Sequence, residues 1–269
     1  MTPLLPGLLS VTLYLLSSTL LAVRFARGSL ALRCQRYQIL LTGFAAVFIH
    51  AVFLYPGIMT ANGLNLAFFY AISLAALTTA LLLLASSLFQ PVENLGIVVF
   101  PLAAISIILV LLIPAQRIIT DPTSWQLDSH ILISLLAYSI LGLAALQAVL
   151  LAIQDRQLRN RQPGGFIRSL PPLSVMESLL FQMIAAGFAL LTLALVTGAL
   201  FLEDIFAQHL VHKTILSIFA WAVFAVLLWG RWRFGWRGRT ALRWTIGGFM
   251  FLMLAYFGSK FVLELILAR

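Results

Sequence analysis

Eight runs of apolar residues divide the chain, near residues 4–23, 37–56, 64–86, 96–115, 130–153, 179–201, 212–230 and 242–264, with shorter polar stretches between them. Each is about the 20 residues that a helix rising about 1.5 Å per residue needs to cross a hydrocarbon core about 30 Å thick. Within the runs the apolar positions are continuous and rich in Leu and Ala, without the alternation of barrel strands. The pattern predicts an all-α polytopic membrane protein, a bundle of eight transmembrane helices in one integral membrane domain over 1–269. The first run is longer than the core of a cleaved signal and carries its arginines after it, so it reads as a retained helix.

Composition strengthens this reading. Hydrophobic residues make up 62% of the chain and charged residues 9%, and the mean hydropathy is +1.05, far from an ordinary soluble protein.

The cations orient the helices, because short loops rich in Lys and Arg stay in the cytoplasm. Arg24, Arg27, Arg33 and Arg36 follow the first run, Arg156, Arg159, Arg161 and Arg168 the fifth, and Arg231, Arg233, Arg237, Arg239 and Arg243 the seventh. By contrast, residues 57–63 hold no cation, 116–129 sets Arg117 against Asp121 and Asp128, and 203–211 holds Glu203 and Asp204. Both termini are therefore expected outside. The isoelectric point near 10.6 then reflects cytoplasmic loops drawn to anionic lipid, at about 1 kcal/mol per residue near the surface, and calls for no nucleic acid. Trp232, Trp236 and Trp244 fit an interfacial aromatic belt. The longest polar segment, 154–178, reads as a cytoplasmic loop broken by Pro163-Gly164-Gly165. Its apolar Phe166, Ile167, Leu170, Leu173 and Val175 suit a bilayer surface, a protein partner or a plain connector.

Four histidines stand out on this background, and the expected topology sends all of them to the outer half of the membrane or beyond it. His130 and His212 open the fifth and seventh runs, and His209 lies in the loop before the latter. His50 sits inside the second run, about 10 Å below the outer surface by helical rise. An intramembrane histidine usually faces the bundle interior, either as a ligand or as a neutral imidazole hydrogen-bonded to a hydroxyl or to backbone. In "HILISLLAYSILG", residues His130, Ser134, Tyr138 and Gly142 follow at four-residue steps, a stripe suited to helix packing or to presenting an imidazole and a phenol to a bound ring.

Imidazole is a common metal ligand and the usual axial ligand of haem iron, whose porphyrin suits an apolar bundle. The single cysteine, Cys34, removes Cys-based zinc or iron–sulfur sites and internal disulfides. No acidic residue falls within a predicted helix core, which argues against a carboxylate proton relay. Nor is there a nucleotide-binding glycine loop, a nucleophile–histidine–acid set or a carboxylate pair, so no enzyme is predicted. Gly187 and Gly247-Gly248 read as close-packing points between helices, and Lys260 and Glu264 as a pair near the end of the eighth run.

The segments "HILISLLAYSILGLAALQAVLLA", "LLTLALVTGALF" and "ILSIFAWAVFAVLLWGRWRFGWRGRTALRWTIGGFMFLMLAYFGSK" resemble the CcsA-type cytochrome c assembly family, in its short eight-helix, HemX-like branch. The resemblance covers most of the chain. It implies a haem-handling protein of the bacterial inner membrane, with His50 and His130 as haem-iron ligands and haem b as the cofactor. Tyr138 lies in the "H…SY" helix of that motif. The family's Trp-rich external segment is missing, since 203–211 reads "EDIFAQHLV", its later histidine falls at or near Trp229, and no histidine follows near the end. His212 stands where a replacement ligand is expected. Partners implied are the lipid bilayer, haem and other cytochrome assembly proteins. The alternative from another class is an accessory or regulatory subunit of a metal-ion transport system without haem, and a third is a scaffold engaged through 154–178.

Overall fold

The computed structural model describes residues 4–27, 33–60, 63–113, 118–119, 125–160, 170–201 and 211–258. Among these, eight helices are long and apolar enough to cross a membrane: α1 (Leu4–Arg27), α2 (Arg33–Ile58), α3 (Phe68–Phe89), α4 (Gly96–Leu112), α5 (Trp125–Arg159), α6 (Leu173–Phe201), α7 (Val211–Phe234) and α8 (Gly238–Met253). The protein is a polytopic α-helical membrane protein. A turn of 3-10 helix, Glu93–Leu95, leads into α4, and a π-helical turn, Leu254–Gly258, continues α8. His209, the 161–169 part of the long polar loop, Lys260 and Glu264 lie outside the described residues.

Hydropathy marks only the part of a helix that needs lipid, and several helices continue beyond it. α5 runs on to Arg159 and α6 begins at Leu173, six residues before its apolar run. Glu177, expected in a loop, therefore stands inside α6.

One expectation fails locally. Hydropathy predicts a third helix from residue 64, whereas Gly63–Asn65 forms a strand, β2, pairing antiparallel with β1 (Met59–Thr60) and β3 (Ile118–Ile119). Asn65 directs the break, donating its amide to the Gly57 carbonyl at 3.1 Å and accepting the Ala67 N–H at 3.2 Å. An Asn whose side chain takes up backbone groups competes with the helical ladder, so α3 starts at Phe68.

The chain forms two compact units, α1–α4 and α5–α8. In the first, α1 packs on α2 and α4, and α3 packs on α2 and α4, closing a square of four helices. The second repeats this order, with α5 on α6 and α8, and α7 on α6 and α8. Several hydroxyls inside the helices are satisfied by their own backbone: Ser17, Thr78, Thr79 and Thr245 each donate to the carbonyl four residues back, at 2.7–2.9 Å. Small residues permit the close approaches. A Cβ on Gly187 would come within 2.6 Å of Leu141, and one on Gly248 within 2.9 Å of the Phe224 ring. Gly247 meets nothing within 4 Å, so it is not the packing point expected of it.

Candidate functional site

Each helix of the first unit contributes one residue to a buried hydrogen-bonded chain. The Tyr14 hydroxyl (α1) lies 3.2 Å from His50 Nδ1 (α2), His50 Nε2 lies 2.9 Å from Ser73 Oγ (α3), and Ser73 Oγ lies 3.2 Å from Ser106 Oγ (α4). Tyr14, His50 and Ser73 have no exposed surface and Ser106 has 2%. The proton order follows from the far end, because a serine has one hydrogen to give. Ser106 donates to the Ala103 carbonyl at 2.7 Å. Its oxygen therefore accepts from Ser73, the Ser73 oxygen accepts His50 Nε2–H, and His50 Nδ1 accepts the Tyr14 proton, an assignment made from the network. Tyr14 is also fixed by stacking on Phe100 of α4, with ring centroids 5.8 Å apart.

His130 is placed differently. It is half-buried in the first turns of α5, in the second unit, with Nδ1 3.0 Å from Thr197 Oγ1 on α6. Thr197 already donates to the Leu193 carbonyl at 2.9 Å, bifurcated toward Ala194 at 3.1 Å. Its oxygen can only accept, so Nδ1 carries the proton and Nε2 the lone pair. The imidazole lies against Gly198, where a Cβ would come within 3.1 Å of Cε1; a small residue at this position gives the ring its seat.

The stripe from His130 to Gly142 does not present one face. Four-residue steps advance about 40° each around a helix of 3.6 residues per turn, so its two ends meet different neighbours. His130 faces α6, whereas Tyr138 packs on Phe249 of α8 and Phe257 beyond it, at centroid distances of 5.5 and 5.2 Å, and donates its hydroxyl to the Met253 sulfur. Gly142 also faces Phe249. His212 is exposed in the first turn of α7. His50 thus belongs to the first unit, and His130, Tyr138 and His212 to the second. Tyr14, Ser73, Ser106 and Thr197 were missed from sequence. Each is a polar group at membrane depth, the one signal available, but such residues are common and their partners lie on other helices.

The arginine clusters prove divided in role. Glu177, with 8% of its side chain exposed, binds Arg231 Nη1 at 2.9 Å and Arg237 Nε at 3.0 Å, and Arg231 also covers the Phe181 ring at 4.5 Å. The α7–α8 turn that holds these arginines needs two left-handed residues, supplied by Gly235 (φ 66°) and Gly238 (φ 54°). In the first unit Glu93 is approached by Arg24 at 3.4 Å and Arg36 at 3.6 Å.

A family model described as "Cytochrome C assembly protein" matches residues 39–267. The chain belongs to the cytochrome c assembly protein family. The inner membrane protein YpjD of Escherichia coli strain K12 is 38% identical over 169 residues, 63% of this chain and 64% of the relative. The cytochrome c biogenesis protein CcsA of Prochlorococcus marinus is 29% identical over 172 residues, 56% of this chain and 53% of that one. Protein HemX of Brevibacillus brevis is 22% identical over 147 residues, 54% of each chain. The match to YpjD thus covers slightly under two thirds of that protein's length. No solved structure matches the chain.

Cytochrome c assembly bears on haem, whose iron takes the lone pair of an imidazole nitrogen. His130 fits that demand: its Nδ1–H is held by a neighbour, the arrangement that fixes tautomer and orientation in metal-ligating histidines. His50 as placed does not fit, since both its nitrogens are engaged and its ring is sealed. Among the described residues no group of three or more His, Cys, Asp or Glu side chains gathers.

Proposed function

We propose that this protein is a non-enzymatic, haem-handling member of the cytochrome c assembly family in the bacterial inner membrane, a single membrane-integral domain with the connection between α5 and α6 in the cytoplasm. The observation that carries the reading is His130, whose Nδ1 rests on the Thr197 hydroxyl, an oxygen already spent as a donor, so that the lone pair is assigned to Nε2. The family membership and the description of YpjD as an inner membrane protein support it. The arginine-rich segments would face the cytoplasm, which sets the N-terminal ends of α5 and α7, with His130 and His212, toward the periplasm.

Haem b, when bound, would supply an iron centre to be held or passed on to an assembly partner. The role of the chain is to present the ligand. Thr197 fixes the His130 tautomer, and Gly198 lets the ring approach α6 closely. His212, exposed at the same end of α7, is the second ligand in this reading.

The test is an absorption spectrum of the detergent-purified protein, oxidised and reduced, before and after reconstitution with haem. A Soret band with reduced α and β peaks, lost in His130→Ala, is expected. A wild type that stays haem-free after reconstitution overturns the proposal. That result would favour the second reading, a transport accessory subunit, on the ground that the only fully buried histidine, among the described residues, is closed into a network of hydroxyls.

A further inference from the structure

We propose that the turn between α7 and α8 binds the headgroup of an anionic phospholipid through Arg233, Arg239 and Arg243. Five arginines crowd residues 231–243, and tertiary structure separates them into two groups. Arg231 and Arg237 share the single carboxylate of Glu177, which offsets one of their two charges. Arg233, Arg239 and Arg243 are exposed, and among the described residues no carboxylate meets them.

The apolar groups around these three cations are those of a lipid boundary. Trp229 is 54% exposed, Trp232 83% and Phe234 59%. Indoles left open where a membrane-length helix ends sit at headgroup level, with apolar body toward the acyl chains and N–H toward the phosphate. Arg239 and Arg243 are one helical turn apart and share a face of α8. Arg233, at the end of α7, lies over the Phe234 ring at 5.9 Å, so the same surface offers cation, aromatic and apolar flank.

Charge complementarity selects the lipid. A zwitterionic headgroup brings an ammonium with its phosphate and gains little from three uncompensated guanidiniums, whereas phosphatidylglycerol brings net negative charge alone. Each cation near an anionic surface favours binding by about five-fold, so removing two lowers the preference by about 25-fold.

The experiment uses the full chain in micelles holding equal dioleoylphosphatidylglycerol and dioleoylphosphatidylcholine, with bound lipid counted by native mass spectrometry. Wild type is expected to retain the anionic lipid preferentially. R239Q/R243Q is expected to lose that preference by tenfold or more, R233Q by about five-fold, and R239K/R243K to keep most of it. R231Q/R237Q, which breaks the Glu177 contacts, is expected to melt at lower temperature and to lose less of the lipid preference than R239Q/R243Q, because Glu177 already offsets part of the charge it removes. A wild-type lipid ratio in both R239Q/R243Q and R233Q overturns the proposal, as does a wild type without preference or an equal loss in R231Q/R237Q.

Discussion

The phenol oxygen of Tyr14 stands 3.2 Å from His50 Nδ1, with the two rings edge to face at 89°. This contact closes the nitrogen on which a buried imidazole would otherwise offer its lone pair. A histidine that is a strong ligand candidate from its membrane depth is thereby made the centre of a four-helix network.

Tyr14→Phe removes the donor and leaves Nδ1 buried without a partner, a loss of about 1–2 kcal/mol. A lower melting temperature in detergent is expected. Nitrogen-15 NMR of His50 should show the Nε2–H tautomer in both proteins, with the Nδ1 shift moved in the variant by loss of its hydrogen bond. A wild-type Nδ1–H tautomer would refute the proton order traced from Ser106.

Thr197→Val keeps the shape at α6 and deletes the acceptor for His130 Nδ1–H. The fold should persist, since the threonine proton returns only to its own helix. If His130 ligates haem, affinity should fall by about 10–100-fold, as for other second-layer partners of a metal-bound imidazole. An unchanged haem titration would remove Thr197 from the site.

Glu177→Gln withdraws the charge shared by two arginines while keeping the size of the side chain. Because Glu177 is buried and the arginines are partly solvated, we expect a destabilisation of about 1–3 kcal/mol, read as an earlier thermal transition. Glu177→Asp, which keeps the charge on a shorter arm, should recover part of it.

Gly247→Ala and Gly248→Ala are neighbours with opposite expectations. Open space surrounds Gly247, so alanine should be neutral or stabilise by up to about 1 kcal/mol through helix propensity. At Gly248 the new methyl would press on Phe224 at 2.9 Å, and the melting temperature should fall. Equal behaviour of the two would contradict the α7–α8 packing.

The sequence by itself determined eight helices and their approximate spans, because a helix that crosses lipid must be apolar for about 20 residues and must bond its own backbone. It also determined the family through the register of "WGRWRFGWRGR" with the segments around it, and singled out His50, because an ionisable side chain is rare at membrane depth, and His130, through its stripe and the family resemblance. Tertiary structure decided what those groups do. Periodicity put His130 and Tyr138 on one stripe, yet the drift of the helix turned one toward α6 and the other toward α8. Five arginines read alike along the chain until Glu177, itself brought into a helix by the early start of α6, claimed two of them. The partners of His50 are 36 and 23 residues away, and only the square of helices brings those hydroxyls to its two nitrogens, because a side chain's hydrogen bonds depend on which helices lie beside it rather than on its neighbours in sequence.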